Sequence, residues 1–189
     1  LTHFHKKMEL IEACNIDRVI CADFTRQFAD QRPRDFSKNI LSEKIGVKEM
    51  VVGFDYAFGR GREGTIPYLK KMGEEFGFIV HVVEPFQLDG LTVSSSHVRE
   101  AIESGNMETA RKFLGRYYSI VGPVVAGYKT GQAIGFPTAN IDTSKVQIPG
   151  TGVYAVRMIY ENKPYDAVAN IGFNPTFHCT YMGQKSFYI

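Results

Sequence analysis

Cysteine is scarce in this 189-residue sequence: Cys14, Cys21 and Cys179 are unevenly spaced and form no C-x-x-C pair. That argues against a disulfide framework and for a reducing compartment, with the three as small buried apolar side chains. Long apolar runs are missing too. No stretch approaches the length of a membrane span and no signal-peptide pattern is visible, so the expectation is a cytoplasmic protein with no membrane partner. Charge of one sign is lacking as well: a net charge of +2 without any Lys/Arg run argues against a nucleic-acid partner.

What is present is the composition of a folded domain, 44% hydrophobic and 22% charged, enough for one good core or two small ones. The charges are unevenly distributed. Residues 1–116 hold 17 basic and 17 acidic side chains, and residues 117–189 hold five and three. This drop predicts a domain boundary near residue 116, giving domains 1–116 and 117–189. The chain opens at Leu1 without a methionine and ends in the strand-like run Ser186–Ile189. Both ends therefore read as cut, and the expectation is a fragment of something longer.

The first part alternates helix and strand patterns. Phe4, Met8 and Ile11 recur at helical spacing, with Thr2 placed to cap them. Val19 to Ala22 reads as a buried strand, and Pro33 opens a helix with Phe36, Ile40 and Leu41 as its stripe. Met50 to Val52 is another strand, Thr65 starts a helix carrying Leu69, Met72 and Phe76, and Phe78, Val80 and Val82 alternate. The order predicts a parallel α/β sheet whose ligands lie beyond the strand ends. That rule selects the loop Gly53 to Thr65, where helix-start amides with Arg60 and Arg62 make an anion site; a plain connecting loop is the alternative. Further on, Ser94-Ser95-Ser96-His97-Val98-Arg99 offers hydroxyls, amides and a guanidinium to a phosphate, or else only an N-cap at Ser96. Gly105 ends that helix, Asn106 caps the next and Gly115 stops it.

From Tyr117 the pattern is short strands and turns, which predicts a small antiparallel barrel. Ile120-Val121, Val124 to Ala126, Val153 to Tyr160, Ala167 to Ile171 and Lys185 to Ile189 are its strands, with a hairpin turn at Glu161 to Pro164. Gly127, Gly131 and Gly135 recur at intervals of four and lead into Pro137-Thr138-Ala139-Asn140. Glycines let a backbone approach a ligand closely, and the Thr138 hydroxyl and Asn140 carboxamide are hard oxygens suited to Mg²⁺ and its phosphates.

The stretch Gly127–Asn140, followed by Asn170-Ile171-Gly172-Phe173-Asn174-Pro175-Thr176, resembles the riboflavin kinase module of bacterial bifunctional FAD synthetases. The upstream sequence resembles their FMN adenylyltransferase half, and the likeness covers essentially the whole chain. It implies a Rossmann-like nucleotidyltransferase domain lacking its N-terminal part, then a riboflavin kinase β-barrel lacking its C-terminal part. ATP, riboflavin and FMN would be substrates, FAD the product, and Mg²⁺ the metal at Thr138 and Asn140.

The resemblance also implies roles for residues. Gly127, Lys129, Gly131, Gly135, Pro137, Thr138 and Asn140 would form the kinase ATP and Mg²⁺ site, with Asn170 and Asn174 near bound flavin or nucleotide or simply capping strand ends. Tyr154, Phe173 and Phe177 are read as barrel core ahead of flavin contacts. Gly53, Asp55, Phe58, Gly59, Arg60, Ser95, Ser96 and Arg99 would form the adenylyltransferase site, Asp55 standing where many members carry Asn. Two catalytic features are absent from the chain: the His-x-Gly-His motif, which His3-Phe4-His5 does not match, and the Glu base expected beyond Ser186–Ile189. The alternative reading is a catalytically incomplete nucleotide- or flavin-binding module.

Overall fold

The computed structural model describes residues 1–126, 138–144, 146–172 and 186–188. In chain order α1 (Phe4–Glu12) comes first, and its opening hydrogen bond runs from Lys7 N–H to His3 O at 2.9 Å. His3, not Thr2, is therefore the N-cap, and no side chain caps the helix. The segment after α1 forms no strand: Val19 and Ile20 are 45% and 71% exposed. An apolar run becomes a buried strand only where a neighbour pairs with it, and none of the described residues does so. Cys14 and Cys21 in this stretch are exposed free thiols, which corrects the expectation that they are buried.

The Thr25 side chain accepts from Phe28 N–H at 3.2 Å and caps α2 (Arg26–Ala29). Pro33 opens α3 (Pro33–Asp35), which runs on as a π-helix over Phe36–Ile45 and stops at Gly46 with φ +71°. Strands β1 (Glu49–Gly53) and β2 (Ile79–Val83) are parallel, joined by the 3₁₀ turn Arg60–Arg62 and helix α4 (Ile66–Phe76). This βαβ unit packs Val52, Leu69, Met72 and Phe78 into one core with Leu41 and Phe58. Each such fully buried apolar side chain contributes about 1.5–3 kcal/mol. β3 (Gln87–Leu88) and β4 (Leu91–Thr92) make a short hairpin.

Helices α5 (Ser95–Glu103) and α6 (Met107–Leu114) follow, with Val98, Ala101, Ile102 and Ala110 as a second core. Asn106 caps α6 by accepting from Thr109 N–H at 3.1 Å, and Gly115 ends it at φ +66°. The remaining strands are β5 (Val124–Val125), β6 (Asn140–Ile141), β7 (Gly152–Tyr160), β8 (Lys163–Gly172) and β9 (Ser186–Tyr188). They form one antiparallel sheet in the order β5-β6-β9-β8-β7. Among the described residues no pairing joins β5 to β7, so the sheet is open there and not a closed barrel. Ile120-Val121 is outside the sheet, although Ile120 packs on its core of Ala169 and Ile171.

The long hairpin β7–β8 turns through Glu161 and Asn162, both left-handed at φ +48° and +61°. That is the twist a two-residue hairpin loop needs. By internal contacts the chain forms two compact units, Leu1–Asp17 with Val93–Ile189, and Arg18–Thr92.

Candidate functional site

In the Arg18–Thr92 unit the loop after β1 is held by its own backbone. Phe58 and Gly64 exchange N–H···O bonds of 3.0 and 2.9 Å, and Arg60 N–H donates to Gln31 O at 2.8 Å. Gly59 has φ +73°, and a Cβ there would meet Pro33 Cγ at 2.7 Å, so only glycine fits. Phe58 is buried in the core at 8% exposure, its ring stacked on Tyr56 at 5.7 Å. Burial in turn raises the Tyr56 phenol above its ordinary pKa.

Gly53, Asp55 and Arg60 are exposed. Arg60 stands 3.8 Å from Glu63, and Arg62 donates to the Asp55 carbonyl at 3.4 Å. The loop thus presents two guanidinium groups to solvent above a rigid base, and Phe58 belongs to that base.

In the other unit Ser94, not Ser96, caps α5, accepting from His97 N–H at 3.2 Å. A cap must sit just before the first helical residue, and Val98 N–H bonds Ser94 O at 3.0 Å. This leaves the hydroxyls of Ser95 and Ser96 uncommitted to capping. Both are exposed, as is Arg99 one turn further on. Three serines in a row gave the sequence no means of choosing which one caps.

The same unit carries the sheet residues. Asn140 pairs in register with Tyr188, and Tyr188 with Asn170. Residues directly opposite across a sheet share a face, so Asn140 and Asn170 lie on one face, separated by one strand. Val125 and Val153 extend the row on either side. Ala169 and Ile171, the neighbours of Asn170, are buried on the opposite face. Asn170 itself is exposed, as is Thr138 two residues before Asn140. Tyr188 occupies the centre of this row and was not singled out in the sequence, because register is invisible before strands pair.

The Oδ1 of Asn140 is buried and has no hydrogen-bond partner among the described residues. An oxygen in that state costs about 1–3 kcal/mol and calls for a donor or a cation. This fits a hard metal such as Mg²⁺. Among the described residues no three His, Cys, Asp or Glu side chains converge as a metal site, so a cation here would rest on neutral oxygens and on the phosphates it accompanies. Gly127, Lys129, Gly131, Gly135, Pro137 and Asn174 lie outside the described residues, as do Phe173 and Phe177.

The family models resolve the ancestry of both parts. Residues 1–97 match FAD synthetase and residues 114–187 match riboflavin kinase. The chain belongs to the FAD synthetase family. Similar curated relatives are the bifunctional riboflavin kinase/FMN adenylyltransferases of Escherichia coli strain K12 and of Buchnera aphidicola from Acyrthosiphon pisum. The first is 39% identical over 177 residues, covering 93% of this chain and 56% of the relative. The second is 38% identical over 181 residues, covering 95% and 58%. This FAD synthetase family member thus spans little more than half the length of those relatives. A solved structure described as a macrolide-efflux protein from Streptococcus pneumoniae aligns with a TM-score of 0.82 at 30% identity, covering 98% of this chain and 59% of the other. No helix of the described residues is long and apolar enough to cross a membrane.

Proposed function

We propose that this chain is part of a bifunctional enzyme that phosphorylates riboflavin to FMN and adenylylates FMN to FAD, both from ATP. The observation that carries the kinase half is the row Asn140–Tyr188–Asn170, which brings two residues from separate motifs onto one face. Thr138 and Asn140 would hold Mg²⁺, which when bound neutralises the phosphate charge that phosphoryl transfer must stabilise. The Asn140 carboxamide supplies a hard oxygen and Asn170 an amide for orienting flavin or nucleotide. The glycine loop from Gly127 to Gly135, with Lys129, would lie over the phosphates, and Asn174 would extend the ligand-facing set.

For adenylyl transfer each unit offers its own groups: in Arg18–Thr92, Arg60 with Gly53, Asp55 and Gly59 would receive nucleotide or flavin, with Phe58 supporting the loop from below; in the other unit Ser95, Ser96 and Arg99 would receive phosphate. In this reading residues 1–116 supply the nucleotidyltransferase half, with the parallel βαβ pair of a Rossmann-like domain, and residues 117–189 the kinase half, whose antiparallel sheet is open among the described residues. The protein is cytoplasmic and acts on small molecules.

A second reading applies to the 189 residues taken alone: a nucleotide- and flavin-binding module without turnover. It is favoured by the surroundings of Asn170 within the β7–β8 hairpin. The acidic residues of the hairpin are Glu161, at the turn, and Asp166, 3.5 Å from Arg157 and four residues from Asn170. Four residues of strand span about 13 Å, too far for either carboxylate to take a proton from a hydroxyl bound at Asn170.

Riboflavin fluorescence titration with Mg-ADP, alongside an assay for FMN formation, separates the readings. Binding by the 189-residue chain with FMN formed only by the longer protein is the expected result. If neither protein bound riboflavin, the flavin reading would be wrong.

A further inference from the structure

Helix α5 has work at both ends. Its first turn exposes Ser95, Ser96 and Arg99. Its last turn receives the segment that leads into β7: Gly150 N–H donates to Ile102 O at 3.1 Å, and Gln147 Nε2 to Glu103 Oε1 at 2.6 Å. A Cβ on Gly150 would sit 2.6 Å from Glu103 O, so the approach of the two backbones is as close as it can be. The Tyr154 hydroxyl closes the clasp by donating to Gly150 O at 2.7 Å, and a Cβ on Gly105 would meet that same hydroxyl at 2.8 Å. Tyr118 holds the strap from behind, its hydroxyl bonded to Gln147 O, and burial pushes its pKa up to about 12. The strap then continues into β7, where Val153 pairs with Asn170.

A nine-residue helix is about 14 Å long and, with Ile102 fully buried, is a stiff connector. We propose that Tyr154 and Gln147 are positioning residues for the phosphate-facing turn of α5, although both lie in the segment that belongs to the kinase sheet. By holding the C-terminal end of α5 they fix where Ser95, Ser96 and Arg99 present themselves. The same clasp fixes the register of Val153 against Asn170. The ligand assignment rests on the function proposed above; the clasp itself does not.

Two measurements on the 189-residue chain and on its Tyr154→Phe and Gln147→Ala variants test this. The first is amide hydrogen exchange without ligand. Loss of one hydrogen bond speeds local opening about fivefold. The expected pattern is a rise of that order at Val98 to Ile102 together with Val153 to Val156. A rise confined to residues 146–154 overturns the proposal. The second is calorimetric titration with inorganic pyrophosphate. A fall in affinity of about fivefold, with the melting temperature lowered by no more than the roughly 2–4 °C that loss of one hydrogen bond costs a chain of this size, supports positioning. A lowered melting temperature with unchanged affinity marks Tyr154 as merely structural and overturns it. If the unaltered chain binds no pyrophosphate, the phosphate role of Ser95, Ser96 and Arg99 is wrong, and the exchange pattern alone decides the clasp.

Discussion

Among the described residues nothing donates to the buried Asn140 Oδ1. Such an oxygen disfavours the folded chain, and alanine at that position would remove the oxygen and its penalty together. Asn140→Ala should therefore leave the ligand-free chain as stable as the parent or up to about 1 kcal/mol more stable. Riboflavin and Mg-ADP affinity should fall at least about tenfold in the same variant, since a charge-assisted contact is worth roughly 1.5–3 kcal/mol. Urea denaturation and fluorescence titration read the two effects separately. A marked loss of stability would mean that Asn140 has a partner in the free chain, which would undo the cation argument. Only the residue types at this site were legible in the sequence. Two hard oxygens in one tetrad can be read from a string, whereas an unsatisfied lone pair is a property of the packed chain.

Elements were legible where local chemistry decides them. Pro33, Asn106 and Gly115 mark helix ends by dihedral preference or capping, and the structure uses each as such. The parallel strands at Met50 to Val52 and Val80 to Val82 were equally readable, because their apolar faces pack on α4. Val19 to Ala22 misled because β-propensity says nothing about whether a pairing edge is present. The tie between α3 and α4 was not legible either, since its partners are 41 residues apart. Arg34 forks onto the Glu75 carboxylate, with one bond of 2.6 Å, while its guanidinium lies 5.3 Å over the Phe76 ring.

The hydrogen bonds from Arg34 hold the Glu75 carboxyl below the usual carboxylate range. A depressed folded value means that the contribution is fully present above the unfolded pKa of about 4.5 and is lost as pH falls through the folded one. The gap in urea midpoint between parent and Glu75→Gln should therefore be constant near neutrality and shrink as pH drops below about 4.5. Both groups are exposed, so added salt should narrow it too. A gap that persists at pH 2 would assign the effect to packing on Phe76.

At the scale of the whole molecule, family membership of both parts and the single unit formed by α5, α6 and the antiparallel sheet pull in different directions. Two family models over two parts of the chain argue for two separate activities, while the proposed clasp at Tyr154 would give them one shared support. The two ideas are separable because they concern different side chains. Thr138 is exposed, sits ahead of β6 and takes no part in the clasp. In the longer protein, Thr138→Ala should thus lower FMN formation by at least about a hundredfold, the effect of removing one preorganised electrostatic contact, while FAD formation from supplied FMN stays within about twofold of the parent. Tyr154→Phe should instead raise the KM for ATP in FAD formation and leave its kcat nearly unchanged, because it moves phosphate-binding groups without removing one. Equal loss of both activities in Thr138→Ala would contradict separate sites. An unchanged KM in Tyr154→Phe would show that the support at the end of α5 does not reach its phosphate-facing turn.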